Sequence, residues 1–72
     1  MSYNNNGDIM YIKLKEKRIE KKLTIYDMAN MLNITPAYYY LLENGKRKLY
    51  YDMAIKIAYI FNMNPDYIFY TK

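Results

Sequence analysis

The side chains of this 72-residue sequence restrict its chemistry to binding. It contains no Cys and no His, a single serine (Ser2) and two glycines. Without thiols and imidazoles it lacks the groups for a zinc site, a thiolate nucleophile and a proton shuttle near neutral pH. One serine and two separate glycines cannot build a Ser-His-Asp triad or a glycine-rich phosphate loop. We therefore expect no enzyme activity, no metal site and no cofactor.

The side chains best suited to binding are the cations. The formal net charge is +4, and the Lys and Arg residues concentrate in residues 13–22 and in the run Lys46, Arg47 and Lys48. Clustered cations attract polyanions, so nucleic acid is the first candidate partner and an anionic membrane surface the second. A basic helix face that is simply solvated is the alternative. No apolar stretch approaches the roughly 20 residues of a membrane span, and no signal-peptide pattern is present, which predicts a cytoplasmic location.

The composition predicts a single folded domain. Hydrophobic residues make up 53% of the chain, too many for a disordered sequence. The polar segment SYNNNG predicts that residues 1–8 are a flexible tail and that residues 9–72 form the domain. A core of this size supplies only about 3–5 kcal/mol, so we expect an apolar surface for self-association. The abundance of Tyr, Ile, Lys, Asn and Phe, whose codons begin with two A or T letters, indicates an A+T-rich genome.

Helix signals recur along the domain, and no strand pattern is present. Thr24 and Asp27 form a capping box for a second helix, which Asn33 can end in a left-handed conformation. Thr35 can cap a third helix whose first residue is Pro36. The predicted helices cover residues 9–22, 25–32, 36–44, 50–61 and 65–70.

The ends of the other helices are marked less uniformly. Asp8 can cap the first helix, whose apolar positions include Met10, Leu14 and Ile19. Gly45 ends the third helix, and the fourth starts without a good cap. The segment Asn64-Pro65-Asp66 provides a cap, a first-turn proline and an acid for the fifth.

The second and third helices have the pattern of a helix-turn-helix. Only residues 33–35 separate them. Two helices that cross steeply after so short a turn need a small residue where they touch, and Ala29 supplies it. Tyr39 occupies an inward position, where we expect its ring in the core and its hydroxyl at the rim. The apolar positions of this segment are Met28, Ala29, Leu32, Ile34, Tyr39 and Leu42.

Four stretches point to a known family. They are Leu23-Thr24 with Asp27-Met28-Ala29, Ile34-Thr35 with Tyr38, Glu43-Asn44-Gly45-Lys46-Arg47, and Lys56-Ile57-Ala58 with Met63-Asn64-Pro65-Asp66. In these stretches the sequence resembles the Cro and phage-repressor (Xre-like) class of helix-turn-helix proteins, which includes the lambda and 434 repressors. The resemblance implies an all-α, five-helix, lambda-repressor-like fold with the helix-turn-helix at helices two and three. It also implies binding to double-stranded DNA with helix three in the major groove, as a dimer on a palindromic operator.

The resemblance assigns roles to individual residues. Arg18 and Glu43 match a salt bridge that ties helix one to helix three. The dimer interface is implied at the loop between helices four and five and on helix five, at Phe61, Met63, Tyr67 and Tyr70. The residues implied to bind DNA are Thr24, Thr35, Pro36, Ala37, Tyr38, Tyr40, Leu41, Asn44, Lys46, Arg47 and Lys48.

The outer positions of helix three depart from the family pattern. Family members have polar, base-contacting residues there, whereas this sequence has Pro36, Ala37 and Leu41, with Tyr40 as the one side chain that carries a polar group. Ile25 also stands where the family usually has a Gln that contacts the DNA backbone. In one interpretation the apolar side chains pack against thymine methyl groups of an A/T-rich site. In the other, the polar contacts have been lost and this face binds a protein.

The leading hypothesis is a sequence-specific DNA-binding transcriptional regulator. We expect a Cro-like repressor of phage or mobile-element origin, nucleoid-associated and homodimeric, with no membrane partner and no small-molecule ligand. The alternative, of a different class, is a helix-turn-helix scaffold used as a protein-interaction module, such as an antitoxin, an inhibitor or an accessory subunit.

Overall fold

The fold is a set of short helices around one core. The computed structural model describes residues 2–3 and 9–70. The all-α, five-helix class predicted from the sequence is confirmed. The helices are α1 (Ile12–Glu20), α2 (Ile25–Leu32), α3 (Pro36–Glu43), α4 (Tyr51–Ile60) and α5 (Asp66–Tyr70), the last a short π-helical segment.

Two very short strands precede the helices. β1 (Ser2–Tyr3) and β2 (Ile9–Met10) pair antiparallel, with Ser2 opposite Met10. The sequence predicted no strand and a first helix from residue 9, and both predictions were wrong because Ile9–Met10 is extended and paired. Asp8, the predicted cap of that helix, lies outside the described residues, and the tail boundary at residue 8 stays a prediction.

The first helix is shorter at both ends than its periodicity predicts. It begins at Ile12 and ends at Glu20, and Lys22 adopts a left-handed conformation with φ 58°. The inward side of α1 is carried by Leu14 and Arg18, four residues apart. Ile19 was predicted to face the core, but it is 55% exposed because it lies about 100° around the helix from Arg18.

The core lies where α1, α2, α3 and α4 converge, and α5 contributes one buried side chain. Tyr39 is the largest side chain that is fully buried, as its inward position predicts. The apolar core consists of Leu14, Met28, Ala29, Leu32, Tyr39, Leu42, Ala54, Ile57, Ala58, Phe61 and Ile68.

The last two helices begin differently. α4 follows Tyr50, which makes no side-chain capping bond, as the sequence indicates. Before α5, the side-chain oxygen of Asn64 accepts a hydrogen bond from the backbone N–H of Asp66 at 2.9 Å. None of the helices in the described part of the chain is both long and apolar enough to cross a membrane.

Candidate nucleic-acid interface

The turn between α2 and α3 has the local geometry that its residues predict. Asn33 is left-handed, with φ 59° and ψ 43°, and it ends α2. The Thr35 hydroxyl oxygen accepts the backbone N–H of Tyr38 at 3.1 Å, and Pro36 occupies the first turn of α3. Ala29, 1% exposed, lies buried where α2 packs against α3. The three-residue turn thus sets the crossing of the two helices.

The start of α2 is fixed by a reciprocal capping box. The Thr24 backbone N–H donates to the Asp27 carboxylate at 2.8 Å, and the Asp27 N–H donates to the Thr24 hydroxyl oxygen at 3.0 Å. The Thr24 backbone N–H, followed by the Thr24 hydroxyl, stabilises the charged Asp27 carboxylate by hydrogen bonding and holds the pKa of Asp27 below its usual value. The Asp27 contribution to stability is therefore present above the ordinary carboxyl pKa and is lost as the pH falls through the lowered value.

A buried polar joint ties α3 to α1. The Arg18 guanidinium donates to both carboxylate oxygens of Glu43, at 2.8 and 3.1 Å, and to the carbonyl of Leu23 at 3.0 Å. The Tyr39 hydroxyl donates to the same carboxylate at 2.9 Å. The structure thus brings together the two residues expected to pair and adds Tyr39, whose hydroxyl was expected to reach the rim. We call Arg18, Tyr39 and Glu43 the polar joint.

Because the polar joint is buried, each of its charged groups depends on the other for stabilisation. The side chain of Arg18 is 11% exposed and that of Glu43 is 4% exposed. Burial, followed by the negative charge of Glu43, raises the pKa of Tyr39 far above its ordinary value of 10.0, so the phenol stays neutral and donates. Hydrogen bonding to Glu43 raises the pKa of Arg18 despite burial. Each charge is thereby satisfied only while both partners remain in place.

The side of α3 that faces away from the core is apolar. Ala37 and Tyr40 are exposed, and Pro36, Tyr38 and Leu41 are half-buried. The one charged residue of α3 is Glu43, which is buried in the polar joint. This outer face, defined by Pro36, Ala37, Tyr40 and Leu41, therefore presents methyl and ring surfaces with one phenol hydroxyl.

The neutral hydrogen-bonding groups at the ends of α3 are partly engaged. The Asn44 amide donates to the carbonyl of Tyr40 at 2.8 Å, which closes the end of the helix. The Thr35 hydroxyl oxygen accepts from Tyr38, so its hydroxyl hydrogen remains the group suited to donate to an anion. Thr24 is exposed, and its hydroxyl oxygen accepts the backbone N–H of Asp27 in the capping box.

The cations that follow α3 are on the surface. Lys46, Arg47 and Lys48 are all exposed. They come after Gly45, which adopts the positive φ of 73° that a glycine tolerates best. The Lys48 ammonium lies 5.3 Å from the centre of the Tyr50 ring, a cation–π contact that the sequence analysis missed although the two residues are close along the chain. Every residue predicted to bind DNA is thus exposed or half-buried.

The described residues of the predicted dimer interface differ in burial. Phe61 is 3% exposed and belongs to the core, so its assignment to an interface was wrong. Met63 is half-buried, and the Lys13 ammonium lies 4.4 Å from the centre of the Tyr67 ring. The side chain of Tyr70 lies outside the described residues. The interface position of Phe61 came from the resemblance to a family, whereas its spacing of three and four residues from Ala58 and Ile57 is that of the buried side of α4.

The acidic residues of the described chain do not cluster as metal ligands would. Within residues 2–3 and 9–70 no group of three or more potential ligands converges. The candidate site therefore consists of the outer face of α3, the exposed cations after it, and the polar joint behind it.

Comparison with known proteins agrees with this geometry. A family model described as a helix-turn-helix domain matches residues 11–72, so the chain belongs to the helix-turn-helix family, in its Xre-like form. This is a family of DNA-binding transcriptional regulators. No protein with a curated description matches the sequence significantly.

Solved structures with the same fold include two bacterial proteins. The restriction-modification controller protein C.AhdI from Aeromonas hydrophila superposes with a TM-score of 0.72 at 24% identity, covering 79% of this chain and 86% of the other. The clp gene regulator ClgR from Corynebacterium glutamicum superposes with a TM-score of 0.70 at 18% identity, covering 78% and 73%. At these sequence identities, the superpositions show a shared fold.

Proposed function

We propose that the chain is a sequence-specific transcriptional regulator, a Cro-like repressor of phage or mobile-element origin that occupies a palindromic operator as a homodimer. In this proposal α3 enters the major groove of double-stranded DNA. The protein acts in the cytoplasm, associated with the nucleoid. The matched controller protein and gene regulator support the regulatory role through their own functions.

The observation that carries the proposal is that α3 has a buried, fixed inner side and an accessible outer face that is followed by three cations. The inner side is held by the polar joint, the outer face is exposed or half-buried, and the three following cations are exposed. A helix that must enter a groove needs a fixed orientation and an unobstructed outer side. Both are present in the same eight-residue helix.

Phosphate contacts supply the affinity in this proposal. Lys46, Arg47 and Lys48 grip the backbone, and the hydroxyls of Thr24 and Thr35 donate to phosphate at the helix starts. A salt series on duplex binding tests this. We expect log K to fall steeply with log salt, and Arg47→Ala to make the slope shallower by about one unit. Lys21→Ala, which removes an exposed cation after α1, is the matched control and should leave the slope nearly unchanged.

Thymine methyl groups supply the specificity. The outer face of α3 lacks the charged and amide side chains that make bidentate bonds to bases, because Glu43 is buried and the Asn44 amide is bonded to Tyr40. Apolar contact with the thymine methyl is the form of direct readout that such a face can make. We therefore propose an A/T-rich operator.

Replacing thymine by uracil in the operator tests this contact, because the change removes a methyl group and keeps the base pair. An operator is first selected from random duplexes. Uracil at the contacted positions should weaken binding by about 1–3 kcal/mol. Uracil outside the contacted positions is the control. Equal affinity for both duplexes would refute methyl contacts and leave DNA binding itself standing.

A protein partner is the second candidate, and the apolar character of the outer face favours it. Pro36, Ala37 and Leu41 could equally pack against another polypeptide, as in an antitoxin, an inhibitor or an accessory subunit. If no duplex from the source genome binds above the affinity for random DNA at moderate salt, this second function replaces the first.

A further inference from the structure

A second exposed apolar surface runs along α4. Tyr51, Ile55 and Tyr59 are 60%, 44% and 84% exposed. They are spaced four residues apart, so each is displaced by only about 40° around the helix from the one before. The adjoining side of α4 is buried in the core through Ala54, Ile57, Ala58 and Phe61. We call Tyr51, Ile55 and Tyr59 the α4 stripe.

Two opposite charges flank the α4 stripe on one side. Asp52 and Lys56 are exposed and lie one turn apart. Across the described chain, neither has an ion-pair partner within 4 Å; the Asp52 carboxylate accepts the backbone N–H of Met53 at 2.9 Å. The side of the helix that borders the stripe therefore carries one negative and one positive group that are open to a partner.

We propose that the α4 stripe is the surface on which a second copy of this chain docks, with the two α4 helices antiparallel about a two-fold axis at Ile55. A two-fold interface brings the same patch together with itself. With a rise of 1.5 Å per residue, Tyr51 and Tyr59 lie about 6 Å on either side of Ile55. Tyr51 of one copy then faces Tyr59 of the other, and Ile55 meets Ile55.

The flanking charges select the antiparallel orientation. In this arrangement Asp52 of each copy comes within about 3 Å, measured along the helix axis, of Lys56 of the other. The symmetry gives two such opposite-charge pairs. A parallel pairing, with the two-fold axis along the helices, would instead place the charges of the two copies on opposite flanks of the contact, where they could not pair. The charge pattern is therefore self-complementary in one orientation.

The area of the α4 stripe predicts a weak dimer in solution. Two tyrosine rings and one isoleucine bury on the order of 400 Å² per chain, about half of the ~800 Å² of a standard interface. We expect association that depends on protein concentration and that becomes stronger when both copies bind one DNA duplex.

The predicted interface around α5 is less suitable for this role. Phe61 is in the core, and the face of the Tyr67 ring is covered by the Lys13 ammonium. The α4 stripe has no such cover among the described residues. The inference rests on the proposed function, because it locates the interface of the proposed homodimer. Its tests are made without DNA.

Cysteine crosslinking tests the position of the axis, because the chain has no native Cys. Ile55→Cys should form a disulfide-linked dimer under mild oxidation, since a residue on a two-fold axis meets its own copy at a distance that a disulfide spans. Ile19→Cys, on α1 and similarly exposed, is the matched control and should crosslink at least about tenfold more slowly. Equal rates for the two variants, with helical content unchanged by circular dichroism, would overturn the proposal.

Sedimentation measurements test the charges and the tyrosine. Tyr59→Asp should weaken self-association at least about tenfold, whereas Tyr26→Asp on α2 should leave it unchanged. Asp52→Lys should weaken association about three- to tenfold, and the double variant Asp52→Lys with Lys56→Asp should restore it. A double variant as weak as the single one would contradict the antiparallel pairing.

The proposed function is tested separately by duplex binding. Monomeric wild-type protein that still binds an operator would overturn the α4 dimer and keep the regulator. A dimer through α4 that binds no duplex would keep the interface and overturn the regulator. Weakening of the dimer by Tyr67→Ala, with no effect of Tyr59→Asp, would return the interface to α5.

Discussion

The inner side of α3 carries Tyr39, Leu42 and Glu43, and its outer face carries Pro36, Ala37 and Leu41. The charged group of the helix is therefore inside, paired and 4% exposed, while the side open to solvent is apolar. Surface helices ordinarily have the reverse distribution. The one charged residue of the helix thus fixes its orientation against α1, and the surface available to a partner is hydrophobic.

The two sides differ in what a substitution should affect. The polar joint lies buried behind the outer face, so changes in it should alter stability. The outer face contributes little to the core, so changes in it should alter binding. Each side can therefore be perturbed separately.

The largest expected effect is the loss of the buried carboxylate. Glu43→Ala leaves the Arg18 guanidinium without its ion-pair partner and should lower the free energy of unfolding by about 3–5 kcal/mol. Urea denaturation followed by circular dichroism measures this. Glu20→Ala removes the exposed partner of Lys17 at 3.3 Å and should cost less than about 1 kcal/mol. Equal losses in the two variants would show that the polar joint is not a buried ion pair.

The next largest effect on stability is expected from removing the Tyr39 hydroxyl, the third member of the polar joint. Tyr39→Phe removes a hydrogen bond to a charged group and should destabilise by about 1.5–3 kcal/mol. Because burial and Glu43 raise the pKa of Tyr39, the contribution of its hydroxyl is complete below the ordinary pKa of 10.0 and is lost as the pH rises above it. The stability difference between wild type and variant should therefore shrink in alkaline urea titrations. Tyr26→Phe, at an exposed position, should change stability by less than about 0.5 kcal/mol.

The outer face should affect binding and not folding. Leu41→Ala should weaken binding to a thymine-containing operator by about 1–3 kcal/mol and leave the affinity for random DNA nearly unchanged. Fluorescence anisotropy with both duplexes measures the difference. Met31→Ala, another exposed apolar residue but on α2, should affect neither. A loss of the same size on both duplexes would contradict base readout by this face.

The smallest effect is expected on stability, from removing the cap at the start of α3. Thr35→Ala removes the capping bond to Tyr38 and should cost about 1 kcal/mol of stability. Thr35→Ser keeps the capping oxygen and should retain stability. If Thr35→Ser lost as much stability as Thr35→Ala, the cap would not explain the effect.

Local signals predicted the middle of the chain well. The capping box at Thr24, the left-handed Asn33 and the cap at Thr35 all depend on interactions within a few residues, and the structure confirms them. The prediction failed where distant residues decide. Ile9–Met10 is extended because it pairs with Ser2–Tyr3, a contact that a helical period cannot reveal.

The candidate site divides in the same way. The Arg18 and Glu43 pair followed from the resemblance to a family, and the third member, Tyr39, could have been found from its spacing of four residues before Glu43 on one helix. The error at Phe61 came from carrying over a family position, although the spacing of Phe61 from Ile57 and Ala58 places it on the buried side of α4.

The sequence by itself determined the helix boundaries at caps, the absence of thiol and imidazole chemistry, and the concentration of cations after α3, because these depend on residue types and short-range bonds. Only the tertiary structure decided which apolar side chains are covered. Packing leaves Tyr51, Ile55 and Tyr59 outside, since burial depends on which helices meet and not on the composition of each.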